Sequence, residues 1–380
     1  MKINTFLPKY MMEFKCISSS CTDSCCAGWD INIDEDTYNK YVNSTGELKR
    51  LLEGKFTLNK DEHDSFNHGF MVIKDENRCP FLNSNMLCDI HGGDGQENLC
   101  ITCKSYPRVF NIVDNVYEKS GLPSCIEICN RAFLNKDKME FIEDSEDIDE
   151  KNIEIRRIID CEAFEGTESL LQYFWDIRVI SINIMQNRSF SIEERLNILR
   201  NFYEQIQEMY NSQEFDNIEE LLEDFNDESM DYEDLKGVAF KEHNEFYISI
   251  AKDELVKNIR SVKLKECVKE YKAGILSENN MCNYLENTPK YLNELEEYSH
   301  VFENYLVNQI FKDLIPFNKG ESLIESIKVL INSYRIIKAY VIGIAMNSNE
   351  KIGGEQIIRV IQAFGKDVEH NRVFKELLEK

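Results

Sequence analysis

From about residue 150 onward the apolar positions recur at three- and four-residue steps, the period of helices with one face on a core. Leu196, Leu199, Phe202, Ile206 and Met209 form one such line. Leu323, Ile327, Leu330, Ile331, Tyr334, Ile337 and Val341 form a longer one near the C-terminus. Ser191-Ile192-Glu193-Glu194 opens the first as a capping box, because Ser191 and Glu194 can satisfy each other's free backbone amides. Pro316 closes the helix that ends in Phe311-Lys312-Asp313-Leu314-Ile315. The first third reads differently. Trp29 to Asp34 alternates as a strand does, and Asp34-Glu35-Asp36-Thr37 starts a helix leading into Tyr38 and Tyr41. Val109 to Val113, Asp114-Asn115 and Val116-Tyr117 read as a hairpin. Acidic runs at 143–150 and 224–234 read as connections. The pattern predicts a mainly α protein. A small α+β domain spans residues 1–135, an acidic linker 136–155, and a larger all-α helical domain 156–380.

Composition supports this division. The chain has 380 residues with only 6 Pro and 16 Gly, which favours helices over an all-β fold with many tight turns. Its 22 Phe and 17 Tyr exclude wholesale disorder. The 69 acidic against 44 basic side chains leave a formal charge of −25, which repels nucleic acid and suits a basic protein partner. No stretch reads as a membrane span. Ala339 to Asn349 is the best candidate and reads as a buried helix end.

Cysteine changes the picture most. Ten of the 13 cysteines precede residue 130, and Cys161, Cys267 and Cys282 follow singly, as packing residues. Dense cysteine means disulfides or metal. Met1 to Lys9 has no signal-peptide core, which points to a reduced, cytoplasmic setting and so to thiolate ligands. The 1–135 region is therefore expected to be a cysteine-rich metal-binding domain. Cys16-x4-Cys21-x3-Cys25-Cys26 gathers four sulfurs, Cys79 and Cys88 add two, Cys100-Ile101-Thr102-Cys103 is a two-ligand bite, and Cys125-x3-Cys129 completes the set. Spacing alone leaves zinc and iron open.

These residues resemble the flagellin lysine-N-methylases. The likeness rests on Phe14-Lys15-Cys16, on Cys21-x3-Cys25-Cys26-Ala27-Gly28-Trp29-x-Ile31-x-Ile33-Asp34, and on Thr37-Tyr38-x-x-Tyr41. Cys79-Pro80-Phe81-Leu82, Leu87-Cys88-x-Ile90, Cys103-Lys104-Ser105-Tyr106-Pro107-Arg108 and Ser124-Cys125 extend it. These elements also resemble the broader CxxCxxCC zinc- or iron-chelating domains. Glu303-Asn304-Tyr305-Leu306-Val307-Asn308, Phe317 after Pro316, and Glu369-His370-Asn371 look like the family's helical body. The resemblance implies methyl transfer from S-adenosylmethionine to lysine side chains of flagellin, in an enzyme with an iron–sulfur cluster, zinc being the runner-up. The ligands it implies are Cys16, Cys21, Cys25, Cys26, Cys79, Cys88, Cys103 and Cys125, with Cys100 and Cys129 in second rank. Eight ligands exceed one four-cysteine site, so either two centres exist or some of these cysteines are structural.

The chain departs from other methyl-transfer enzymes. Its one glycine cluster, His91-Gly92-Gly93-Asp94-Gly95, follows no strand. Gly28 stands where a CxxxCxxC loop would place its third cysteine. Other residues invite a role, each beside a plainer one. Tyr106 and Arg108 could flank the amine, or serve as a packed turn aromatic and an ion-pair partner. Trp29 is expected to cover the metal site, and His91 is a possible extra ligand. His370 could be a base or a hydrogen-bonded helix histidine, and Asn304-Tyr305 a polar contact in the core. A different class of function is a non-catalytic metal-binding or redox module that docks a basic client. A third reading is an enzyme whose cluster only holds the fold together.

Overall fold

The structure is a computed structural model. It describes residues 2–371 except 62–63, 74–76, 228–229, 231, 234–235, 238–242 and 277–280. The sheet strands are β1 (Lys2–Pro8), β2 (Asn32–Ile33), β3 (Phe56–Leu58), β4 (Gly69–Met71), β5 (Arg108–Val113), β6 (Val116–Gly121), β7 (Phe141–Asp147) and β8 (Ile155–Ile159). The helices that position the site are α1 (Glu35–Val42), α2 (Asp89–Asp94), α3 (Ile101–Ser105), α4 (Ile126–Phe133), α5 (Phe174–Met185), α6 (Ile192–Asn211), α7 (Val262–Ile275), α8 (Ser299–Asp313), α9 (Leu323–Ser348) and α10 (Gly354–His370).

Local chemistry accounts for several of these elements. The β5–β6 hairpin turns on Asp114 and Asn115, both at positive φ (47° and 64°), where short polar side chains are tolerated. Ser191 and Glu194 form the expected capping box at the start of α6. Asp34 caps α1 by accepting from the Thr37 amide at 2.9 Å. Its second oxygen accepts from the Ile101 amide at 2.8 Å, so one carboxylate also fixes the start of α3.

The protein is a mixed α/β structure rather than a small α+β unit followed by an all-α one. A five-stranded sheet runs in the order β7-β1-β6-β5-β8, and a three-stranded one in the order β2-β4-β3. The larger sheet packs with the helical body. Leu7, Val113, Ile128, Phe133, Leu196, Ile337 and Phe364 share one core. A separate core of Ile31, Ile33, Tyr41, Leu52, Met71, Cys79, Phe81, Ile90 and Cys100 belongs to the cysteine lobe. The first 135 residues thus divide between two cores.

The acidic run expected as a linker is an edge strand. β7 pairs antiparallel with β1 along its length, from Lys2 opposite Asp147 to Pro8 opposite Phe141. Its side chains alternate between exposed and half-buried, and the exposed carboxylates guard the free edge against pairing with another chain. Of the second run, residues 224–226 end a helix spanning Phe215–Asn226, and residues 228–229, 231 and 234 lie outside the described set.

Helix α8 is buried almost all round and uses its polar residues as fasteners. Asn304 donates to the carbonyls of Asn135 and Asp137. Asn308 accepts from the Tyr10 hydroxyl at 2.6 Å and donates to the Gly121 carbonyl. Glu303 accepts from Arg188 and Arg195. Asn304-Tyr305 is accordingly a polar contact in the core. Helix α9 is long and apolar enough to cross a membrane by length and composition, but 72% of its apolar window is buried inside the protein. It is the core helix of this body.

Candidate thiol centre and adjoining cleft

The cysteines sit where local structure holds their sulfurs. Cys88, Cys100 and Cys125 occupy the residue just before α2, α3 and α4. Free amides of a first helical turn point at such a position and favour a thiolate there. The amides of Ile128 and Glu127 act this way on Cys125, yet burial outweighs them and pushes its thiol up to about 12. Burial likewise raises Cys88 against the amides of His91 and Ile90.

Residues 21–29 form a tight loop against residues 77–79. The Cys79 amide donates to the Cys26 carbonyl at 2.7 Å, and the Gly28 amide to the Asn77 carbonyl at 2.8 Å. Gly28 has φ of 92°, a conformation that side chains rarely adopt, which explains glycine at this turn. Trp29 closes the loop by donating its indole N–H to the Cys25 carbonyl at 2.7 Å.

Two thiol groups result. Cys26, Cys79, Cys88, Cys100 and Cys103 cluster in and around the lobe core. Cys26 is hydrogen-bonded to Cys79, and Cys103 to Cys100. The Cys103–Cys100 bond raises Cys103 and lowers Cys100, which is the acceptor. Cys16, Cys21 and Cys125 form the second group, close enough to act on one another electrostatically. Cys25 lies between the groups, with its sulfur 4.0 Å from that of Cys26. Among the described residues, no three His, Cys, Asp or Glu side chains close on one point at metal-ligand spacing. The donor chemistry fits a thiophilic metal, being soft sulfur in two clusters with helix-start amides behind three of them.

The remaining cysteines and His91 fall outside these groups. Cys129 lies in the main core and donates its S–H to the Pro123 carbonyl. Cys161 and Cys267 are buried and Cys282 is half-buried, all packed in that same core. His91 is solvent-exposed and offers only its backbone amide to Cys88.

Helix α10 clasps the thiol loop with residues at four-residue steps. Gln362 donates to Asp23 Oδ2 (2.9 Å) and to the Ser124 carbonyl (2.8 Å). Lys366, 4% exposed at its side chain, pairs with Asp23 at 2.8 Å and donates to the carbonyls of Ser24 and Ala27. His370 stacks on Trp29, ring centres 4.4 Å apart, with Tyr106 on Trp29 as well at 5.7 Å. Gly365 allows the approach, since a Cβ there would stand 3.0 Å from the backbone at Pro123 and Ser124. The polar residues Gln362, Lys366 and His370, at four-residue steps beside the apolar face of this amphipathic helix, are a signal the sequence held. Ser124 gave none of its own, although it bridges Tyr106 and His370, its hydroxyl 3.2 Å from the Tyr106 oxygen and 3.2 Å from His370 Nε2. Burial pushes His370 down to about 4, so its ring is neutral at pH 7.

This aromatic group forms one wall of a cleft of 620 Å³ between the cysteine lobe and the helical body. Arg108, Arg156 and Arg157 line it with Ser105, Glu154, Asp313 and Glu369. Arg108 forms no ion pair with a carboxylate among the described residues, contrary to the plainer reading of it. Its guanidinium lies 5.1 Å over the Phe14 ring. An adjoining groove of 530 Å³ shares Ser105, Arg108 and Phe110 and carries Glu97, Glu146, Asp147 and Asp149.

Comparisons with known proteins bear on the helical side of this cleft. Residues 178–380, just over half of the chain, match the family model of the FliB lysine N-methylase C-terminal domain. The lysine-N-methylase of Salmonella typhimurium is 26% identical over 167 residues, 44% of this chain and 40% of that protein, and the lysine-N-methylase of Salmonella choleraesuis matches equally. The flagellar biosynthetic protein FliU of Salmonella muenchen is 28% identical over 132 residues, 35% of this chain and 78% of that protein. This chain spans about 40% of the length of the lysine-N-methylases that it matches. No solved structure matches it. The helix that clasps the thiol loop lies within the matched half, and with that match the chain belongs to the FliB lysine N-methylase family.

Proposed function

We propose that this chain transfers methyl groups from S-adenosylmethionine to lysine side chains of flagellin, in the cleft between its cysteine lobe and its helical body. The observation that carries the reading is the family match on a body whose helix α10 builds the cleft wall against the thiol loop. The groove beside the cleft carries Glu97, Asp147 and Asp149 among Lys104, Arg108 and the Lys119–Glu146 pair, and its carboxylates can accept from a lysine ammonium.

Methyl transfer needs a neutral amine. The amine lone pair attacks the sulfonium methyl carbon, the carbon–sulfur bond breaks, and the donor leaves as a thioether while the nitrogen sheds a proton. Tyr106 and Ser124, hydrogen-bonded on to the neutral His370 ring, can accept from the amine N–H and orient its lone pair, the released proton passing to solvent. Trp29 and Tyr106 exclude water from one side.

A cysteine-held metal belongs to the same proposal. Cys26, Cys79, Cys88 and Cys103 would hold one centre and Cys16, Cys21, Cys25 and Cys125 a second, as an iron–sulfur cluster or zinc. Bound there, zinc would cross-link the loop to the lobe and a cluster would add electron transfer, and Lys366 and Gln362 position the loop that carries its ligands. Supporting this are the donor type and the grouping of the thiols.

The test is mass spectrometry of flagellin after incubation with the anaerobically isolated chain and S-adenosylmethionine. Lysines gaining methyl groups are expected. Unmodified flagellin from a metal-loaded preparation would instead favour a metal-binding module that docks a basic client. Iron, sulfide and zinc analysis of the same preparation decides the metal.

A further inference from the structure

Arg108 and Arg157 are unusual in a chain with 69 acidic and 44 basic residues. Acidic partners are abundant, yet among the described residues neither guanidinium forms an ion pair with one. Both are half-buried and both line the 620 Å³ cleft. The other charges there are largely satisfied. Lys312 pairs with Asp313 and Glu369 at 2.7 Å, Arg156 stands 3.5 Å from the same two carboxylates, and Arg260 pairs with Asp30. What remains is Arg108 and Arg157 against Glu154.

The backbone explains how Arg157 reaches the cleft. β8 runs parallel to β5 with Ile155 opposite Phe110 and Arg157 opposite Asn111, so Arg156 is an extra residue in the ladder. Such a bulge re-aims side chains, and here Arg156 and Arg157 both line the cleft despite being neighbours on a strand. A third observation points to a ligand. Ser105 lines the same cleft, is 8% exposed, and its hydroxyl is buried without a hydrogen-bond partner. Burial also lowers both guanidinium pKa values, the mark of desolvated cations that gain from an anion.

We infer that Arg108, Arg157 and Ser105 form a carboxylate-recognition site for the amino-acid end of a small zwitterionic ligand whose flat ring system stacks at the Trp29–Tyr106–His370 wall. Glu154, beside the arginines, suits the ligand's α-ammonium and opposes a phosphate dianion. The cavity is of the size that holds a ligand of this kind. On the function proposed above this ligand is the methyl donor, and the choice of ligand rests on that reading.

The test uses the full chain as isolated, with three probes measured by calorimetry: S-adenosylhomocysteine, 5′-methylthioadenosine, which lacks the amino-acid end, and inorganic phosphate. The wild type is expected to bind S-adenosylhomocysteine at least about tenfold more tightly than 5′-methylthioadenosine, as a charge-assisted bidentate contact provides. Arg157→Gln and Arg108→Gln should each remove most of that preference while leaving 5′-methylthioadenosine binding unchanged. Arg157→Lys, which keeps the charge, should fall between. Variants that retain the full preference would overturn the site while leaving the donor reading intact. A wild type that binds neither nucleoside would overturn both, and phosphate competing as well as S-adenosylhomocysteine would overturn the carboxylate assignment.

Discussion

Lys366 reaches from helix α10 to within 2.8 Å of Asp23, on the loop that carries Cys21, Cys25 and Cys26. This buried pair joins the half of the chain matched by the family model to the thiols of the other half.

Removing one partner of a buried pair leaves an uncompensated charge, at a cost of about 3 kcal/mol or more. Lys366→Met is expected to lower stability by that order in chemical denaturation and to speed alkylation of the loop thiols. Unchanged labelling rates would mean that the loop is held by other contacts.

Cys129 and Cys26 separate packing from metal holding. Cys129→Ser should retain metal and lose about 1–3 kcal/mol of stability, since a hydroxyl then occupies an apolar core site. Cys26→Ser should lose metal. Metal analysis of the two purified variants checks this, and loss of metal on replacing Cys129 would contradict the grouping.

The buried pair Arg178–Glu118 pins α5 to β6 through two bonds, at 2.7 and 3.0 Å. Glu118→Gln leaves Arg178 without its counter-charge and should cost about 3–5 kcal/mol in urea unfolding. A loss below about 1 kcal/mol would show that the site relaxes around the cation.

His370 gives stability a dependence on pH. Its folded-state pKa of about 4 lies below the ordinary 6.5, so the fold favours the neutral ring. Its contribution is complete above about pH 6.5 and is lost as pH falls toward 4, reaching about 3 kcal/mol at the acid end. His370→Gln should flatten the stability curve over this window relative to wild type. Parallel curves would contradict the burial of the imidazole.

Features set by neighbouring residues were legible in the sequence. The Ser191–Glu194 box, the Asp34 start and the Asp114-Asn115 turn depend on local backbone chemistry, and each formed as read. The 143–150 run was misread because charge suggests solvent, whereas alternate charges on an edge strand are compatible with a sheet. That pairing with β1 joins residues far apart in sequence, which no local pattern specifies. The thiols were legible as a set, but their division depends on the fold. Ser124 was not legible, because its bridging role exists only once α10 has packed beside it. The α10 stripe could have been read, since Gln362, Lys366 and His370 recur at four-residue steps along one line of an amphipathic helix. The paired arginines of β8 required the bulge.

The most direct measurement compares lysine methylation of flagellin by the wild-type chain and by Tyr106→Phe, both metal-loaded and saturated with S-adenosylmethionine. Transfer in the cleft with the amine oriented by the Tyr106 hydroxyl should give methylated lysines with the wild type and a rate at least about tenfold lower with the variant, donor binding being unchanged. No methylation by the wild type, or an undiminished rate with Tyr106→Phe, would contradict it.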